Sequence, residues 1–298
     1  MFLNRTVLAT VLATTLFSTP VFAQEANTLK KIKDTGVITL GHRESSIPFS
    51  YYDDKQQVIG YSHEIMLKAV DAIKADQKID KLEIKLMPVT SANRITLVQN
   101  GTVDIECGST TNNTERQKQV AFSNTIFVIG TKLMAKKDSG LKDFADLAGK
   151  NVVTTAGTTS ERLLRKMNED KKMGMNVISA KDHGESFLTL ETGRAVAFMM
   201  DDALLYGEMA KAKRPGDWVV FGTAQSKEAY GCMLRKDDPA FKKVVDTAIA
   251  KLMTSGEAEK IYNKWFLNPI PPKGLNLNMT LSDEVKALYK APNDTAFE

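Results

Sequence analysis

Between residues 37 and 107 short β-type runs alternate with helical patterns, and between 151 and 222 the alternation begins again. The first pass reads VITLG (37–41), SHEIMLKAVDAIKA (62–75), LEIKLMPV (82–89), SANRITLVQNG (91–101) and VDIEC (103–107). The second reads NVVTTAG (151–157), TSERLLRKMNED (159–170), NVISA (176–180), ESFLTLETG (185–193), AVAFMMDD (195–202) and WVVFG (218–222). A strand that returns through a helix runs parallel to its neighbour, so each pass predicts a parallel-rich α/β sheet. Two similar α/β units in series are therefore expected. Long extended stretches, AFSNTIFVIGTKLMAKK (121–137) and AQSKEAYGCMLRKDD (224–238), flank the second unit. Helical patterns follow at 241–256 and 258–266, before NPIPPKG leads into a polar tail.

The chain has two cysteines, Cys107 and Cys232, one at the end of each half of this pattern. Its first residues, MFLNRTVLATVLATTLFSTPVFAQE, place one cation before a short apolar run and a small-residue site near Ala23/Gln24. That is the pattern of a cleavable export signal over residues 1–23, with no cysteine after the cut for a lipid anchor. A mature chain freely diffusing in a periplasm or its equivalent is expected. An oxidising compartment favours one bridge between the cysteines over two free thiols. If they are bridged, the chain after residue 225 must return to the first unit. The second unit is then an insertion joined by two hinge strands, with one lobe over 24–129 and 225–298 and the other over 130–224. The roughly 275 residues left after cleavage suit two domains. Interleaved charges with a net of +4 give no nucleic-acid footprint, and three scattered histidines support no metal site. Neither cofactor nor metal is expected, and the protein is expected to be a monomer.

Candidate binding residues sit where strands end or helices start, positions that converge on a cleft without disturbing the core. Arg43 follows the first strand, Ser91 and Arg94 open a helix, and Ser109, Thr111 and Arg116 lie in GSTTNNTERQK. In the second unit Thr158 and Thr159 open a helix, His183 sits near the start of another, and Asp201 ends a strand. A guanidinium matches a carboxylate with two parallel bonds, and free N–H groups at a helix start favour an anion. Arg116 and the Thr158–Thr159 helix start can share one carboxylate. The Thr111 hydroxyl, the Ser109 carbonyl and the Asp201 carboxylate are acceptors suited to an ammonium group. Together they describe the headgroup of an α-amino acid. Arg43 and Arg94, with Ser91 beside them and His183 as a further donor, remain. Three arginines against one aspartate leave the site at about +2, an excess that a neutral ligand side chain would leave uncompensated. The site calls for a second carboxylate.

Each residue has a plainer reading. Arg43 can form a surface ion pair, and Ser91, Thr158, Thr159 and Asp201 can simply cap helices. His183, just before Gly184, can be an exposed helix start. His42 and His63 read as structural or exposed, and AKAKRP (210–215) and the C-terminal tail as solvated faces.

The stretches GHRESSIPFSYYD, ECGSTTNNTERQKQVAFS, TTAGTTSE, SAKDHGESF, GRAVAFMMDDALL, AYGCMLRKDDP and NPIPPKGLNLN settle the comparison. From about Asn27 to the C-terminus the chain resembles the periplasmic glutamate/aspartate-binding proteins of bacterial ABC uptake systems, within solute-binding protein family 3. The resemblance implies a type II periplasmic-binding-protein fold, two α/β lobes that close on a ligand by hinge motion and present it to a membrane permease. It implies that Arg116 and Thr159 hold the α-carboxylate, that Ser109, Thr111 and Asp201 take the ammonium, and that Arg43, Ser91, Arg94 and His183 surround a side-chain carboxylate. Ala156 departs from the serine common in related TSGTTS segments, which costs at most a minor contact and leaves both threonines. No bond-making chemistry is expected. A dehydratase on the same fold is the enzymatic alternative, but no nucleophile–base pair or phosphate loop supports it. A sensory protein using the same cleft is a third possibility. One methylene separates glutamate from aspartate, worth only ~1–3 kcal/mol, and the sequence leaves that choice open.

Overall fold

The computed structural model describes residues 27–297. The export signal read at residues 1–23 lies outside them. Each α/β pass forms its own sheet. In the first, the strands lie in the order Glu83–Pro88, Val37–His42, Ile105–Glu106, Met233–Arg235 and Val120–Phe122. The first three are parallel, and Met233–Arg235 is antiparallel to both its neighbours. In the second, the order is Asn176–Ala180, Asn151–Thr155, Ala197–Asp201, Phe127–Lys136 and Trp218–Phe221. Again the first three are parallel and the next strand is antiparallel. The repeated order, second strand, first, third, then an antiparallel one, is the internal similarity read from the sequence.

Two strands carry the chain between the sheets. Phe127–Lys136 leaves the first sheet, and Lys227–Tyr230 pairs antiparallel with its beginning, from Phe127↔Tyr230 to Gly130↔Lys227. The chain then re-enters the first sheet as Met233–Arg235, wedged between Ile105–Glu106 and Val120–Phe122. The bridge Cys107–Cys232 joins the two entry points across a separation of 125 residues.

The helices cover the sheets through apolar faces at helical spacing. Tyr61–Asp76 buries Tyr61, Ile65, Met66, Ala69, Val70 and Ile73, positions that recur every three to five residues. At the foot of the crossing strands, Phe127 stacks on Phe266 at 4.9 Å and on Tyr262 at 5.8 Å, while Phe49 and Tyr230 meet it edge-on or tilted. The C-terminal helix Glu257–Phe266 is thereby packed against the start of the crossing strand Phe127–Lys136.

Three local expectations need correction. The helix expected from residue 91 starts at Arg94, because residues 91–93 form a turn in which Asn93 Oδ1 accepts from Thr90 N. The C-terminal tail is not simply a solvated face: Asp283–Lys290 is a helix capped by Ser282, and it buries Val285 and Tyr289. The Tyr289 hydroxyl lies 3.1 Å from that of Tyr61 in the core. Within AKAKRP, Ala210 and Ala212 are buried, and the segment from Lys213 to Pro215 is exposed. His42 and His63 are both buried, which agrees with the structural reading.

Candidate functional site

All the sequence-selected polar residues lie past the carboxyl ends of parallel strands or at the helix starts that follow. Arg43 follows Val37–His42, Ser109 and Thr111 follow Ile105–Glu106, Thr158 follows Asn151–Thr155, and Asp201 ends Ala197–Asp201. Open α/β sheets leave their helix N-termini and loops at that edge, and here the two edges face each other. Arg116 Nη2 crosses from one side to donate to the Gly157 carbonyl at 3.3 Å, and Gly184 N donates to Ser45 Oγ at 3.3 Å. The groups between are sealed from water: Arg43 and Arg94 are each 1% exposed and Arg116 is 7% exposed.

Arg43 and Arg94 share one neighbourhood. Arg43 Nη1 lies 3.4 Å from Ser109 Oγ, while Arg94 Nη1 donates to the Ser109 carbonyl at 3.0 Å and to Thr110 Oγ1. Arg94 Nε and the buried Ser91 Oγ have no protein partner among the described residues. Burial, and then the charge of Arg94, pulls the Arg43 guanidinium down to about 10, so it stays charged at neutral pH. Glu106, fully buried, accepts from Thr110 Oγ1 at 2.8 Å and partly offsets the two arginines.

Arg116 is held by its own loop. Asn113 caps the short turn Thr114–Gln117 by accepting from Arg116 N at 2.9 Å, and Arg116 Nη1 donates to the Thr111 carbonyl at 2.9 Å. Its pKa falls to about 9, first through burial and then through Arg94. Thr158 does cap its helix, accepting from Glu161 N at 3.0 Å, whereas Thr159 Oγ1 donates to Glu228 at 2.9 Å.

Asp201 caps nothing with its side chain. It accepts from Thr131 Oγ1 at 2.9 Å, from Ser160 Oγ at 3.4 Å and from the Tyr230 hydroxyl. Burial, followed by the nearby Glu228 carboxylate, pushes its pKa up to about 7, while the bonds from Tyr230 and Thr131 pull it back. Asp201 thus sits beside a second carboxylate, Glu228, that disfavours its ionised form.

His183 is 1% exposed, not a surface helix start. Burial, then Arg43 and Arg94, drives its pKa well below 6.5, so the ring is neutral. Its tautomer follows from a chain of hydroxyls. The Asp182 carbonyl can only accept, so Ser186 Oγ donates to it at 2.8 Å. Thr155 Oγ1 must then donate to Ser186 Oγ at 2.8 Å, and it receives its own proton bond from His183 Nδ1 at 2.8 Å. Nε2, buried without a protein partner among the described residues, is left as a bare acceptor. The donor role expected of His183 therefore requires a proton taken up on Nε2.

Glu106, Glu228 and Tyr230 were not selected from the sequence, and they change the electrostatic reasoning. The excess of about +2 becomes a formal balance of three arginines against three carboxylates. What survives is segregation: one positive charge in excess around Arg43 and Arg94 once Glu106 is counted, one at Arg116, and the two carboxylates Asp201 and Glu228 at a third place. The Ser109 carbonyl, expected to receive an ammonium, already accepts from Arg94.

Residues 38–268 match the bacterial extracellular solute-binding proteins, family 3. The chain belongs to that family. Its fold is the type II binding fold of two α/β lobes. This family 3 protein is 65% identical over 98% of its length, and 97% of the relative's, to an L-glutamate/L-aspartate-binding protein of Pseudomonas aeruginosa. It is also 65% identical to a glutamate/aspartate import solute-binding protein of Salmonella typhimurium, across 91% of this chain and 89% of the relative. Among solved structures, a mutant of ArgBP from T. maritima matches with a TM-score of 0.71 at 26% identity, covering 80% of this chain and 99% of that one. The family and these relatives are binding proteins, not enzymes.

Proposed function

We propose that this protein captures L-glutamate or L-aspartate in the periplasm, closes over it and presents the closed form to the permease of an ABC-type importer. The observation that carries this reading is the pair of buried guanidiniums, Arg43 and Arg94, beyond the group formed by Arg116 and Asp201. An acidic amino acid offers two carboxylates and one ammonium. The site offers positive charge at two places and negative charge at one. Arg116 with the Thr158–Thr159 helix start takes the α-carboxylate, and Asp201 with Ser109 and Thr111 takes the ammonium. Arg43, Ser91, Arg94 and His183 take the side-chain carboxylate, His183 as the imidazolium. A neutral side chain in that place would leave one desolvated positive charge uncompensated, which is costly. The names of the two 65%-identical relatives support the same ligand class.

No covalent step is involved. Residues 24–129 and 225–298 form one lobe and 130–224 the other, and the paired strands Phe127–Lys136 and Lys227–Tyr230 act as the hinge. Ligand that bridges the lobes binds the closed state better than the open one and shifts the population toward it. Permease contacts that favour the open form would release it. The protein acts as a monomer after removal of residues 1–23. Calorimetric titration of the mature, refolded protein with glutamate, aspartate, glutamine and histidine tests the proposal. Tight binding of the two acidic ligands alone is expected, and equal binding of glutamine would refute the assignment of Arg43 and Arg94.

A further inference from the structure

Two glycines of the second lobe stand against backbone of the first, on either flank of the buried site. Gly207 lies inside the helix Asp202–Lys211, and a Cβ there would stand 2.3 Å from the Ile47 carbonyl oxygen and 2.9 Å from its carbonyl carbon. Ile47 belongs to the turn between the strands Ser45–Ser46 and Ser50–Tyr52. Gly157 lies in the turn before the helix Thr159–Asp170, and a Cβ there would stand 2.6 Å from Ala92 Cα and 2.7 Å from Ala92 N. Carbon atoms in good contact are about 3.5–4.0 Å apart, and neither obstacle is a side chain that can rotate away.

We infer that Gly207 and Gly157 are the closure contacts of the two lobes, and that the missing Cβ at each lets the cleft shut far enough to enclose the ligand. The inference rests on the reading of the cleft as one that closes on an amino acid. Each glycine has a hydrogen bond across the cleft close by. Arg116 Nη2 reaches the carbonyl of Gly157 itself, and Gly184 N reaches Ser45 Oγ, two residues from Ile47, both at 3.3 Å. A methyl group at Gly207 would drive Ile47 back by about 1 Å, and bonds already at 3.3 Å have no such slack. Gly207 also has a feature Gly157 lacks. Its backbone is helical, whereas Gly157 has φ +76°, a conformation that strains any side chain. Alanine inside a helix favours folding over glycine, so the substitution at Gly207 separates closure from stability.

The test uses Gly207→Ala in the full mature chain, with Gly216→Ala as a control because a Cβ at Gly216 meets nothing within 4 Å. Melting temperature without ligand, glutamate affinity by calorimetry, and compaction on adding glutamate by small-angle X-ray scattering are measured for both variants and the parent. Gly207→Ala should melt at the parent temperature or ~1–3 °C above it. Forcing a carbon into a packed contact weakens an equilibrium by ~5- to 150-fold, and a backbone obstacle places the expected loss of glutamate affinity at ~30-fold or more. Compaction should be reduced, and Gly216→Ala should behave like the parent. Parent-like affinity and compaction in Gly207→Ala would overturn the inference while leaving the ligand assignment intact. So would a drop in its ligand-free melting temperature, which would make the glycine a packing requirement of its own lobe. A parent protein that binds no acidic amino acid would overturn the functional reading on which the inference stands.

Discussion

Arg94 offers the sharpest test of the charge arrangement, because its guanidinium is sealed from water and only part of its donor set is engaged by protein. Nη1 serves the Ser109 carbonyl and Thr110, while Nε has no protein partner among the described residues. Arg94→Ala leaves a bound side-chain carboxylate with Arg43 as its remaining guanidinium. Removing one partner of a buried charge pair costs ~2–5 kcal/mol. Arg43 remains in the same pocket and Glu106 then draws on it alone, so the lower part of that range applies, ~2–3 kcal/mol or ~30- to 150-fold in glutamate affinity. Glutamine makes no such pair, so its affinity should change by less than ~3-fold. Competitive calorimetry with both ligands reads the ratio directly. An equal loss for glutamate and glutamine would mean that Arg94 merely supports the Ser109–Thr110 backbone, and the reasoning would fail.

Tyr230→Phe removes a bond that holds the Asp201 pKa down, so the acid should titrate still higher. Each unit of rise lowers its ionised fraction ~10-fold below the pKa, so affinity should fall most at pH 6 and recover by pH 9; a pH-independent loss would contradict this. Glu208 is buried, with Lys211 at 3.3 Å, and desolvation raises it to about 7. Its folded value lies above its unfolded one, so its ionisation destabilises the fold progressively as pH rises from about 4.5 to 7. Glu208→Gln should therefore gain up to about 3 kcal/mol over the parent at pH 8 and nothing at pH 4, measured by denaturant unfolding at both values. Cys107→Ser with Cys232→Ser opens a closed loop of 125 residues, for which ~4–5 kcal/mol of lost stability is expected in urea unfolding. An unchanged midpoint would show that the bridge contributes nothing.

The alternation of strands and helices was legible because each element keeps one periodicity and ends on its own signal. TSERLLRKMNED and NVISA became Thr159–Asp170 and Asn176–Ala180 without adjustment. Arginines at strand ends were legible as well, since a lone guanidinium in a hydroxyl-rich loop stands out. Glu106, Glu228 and Tyr230 did not stand out, because each lies within a strand, where a polar residue ordinarily reads as the solvent-facing half of an alternation. Their burial is set by strands from far along the chain. The one local hint was Glu106 set between Ile105 and Cys107, an acid in an apolar run. The tail was misread because its polar residues dominate, although Val285 and Tyr289 are four apart and Ser282 stands at the cap position. The tautomer of His183 depends on two hydroxyls, Thr155 and Ser186, that lead from its ring to the Asp182 carbonyl, and no spacing rule encodes it.

The place of Met233–Arg235 in the first sheet sets an order on assembly. A chain that emerges N-terminus first delivers all the strands of the second sheet between residues 127 and 230, so that sheet can pair as an almost contiguous unit. The first sheet cannot. Val120–Phe122 has its neighbour in Met233–Arg235, more than a hundred residues later, and until that strand arrives one edge of Ile105–Glu106 stands open. Long-range pairing of this kind is slow, since the closure entropy comes before the contacts that reward it. The loop that carries Ser109, Thr111 and Arg116 sits on that late seam. Binding competence therefore arrives last, and a truncated or stalled chain would present one finished lobe and no grip on a ligand.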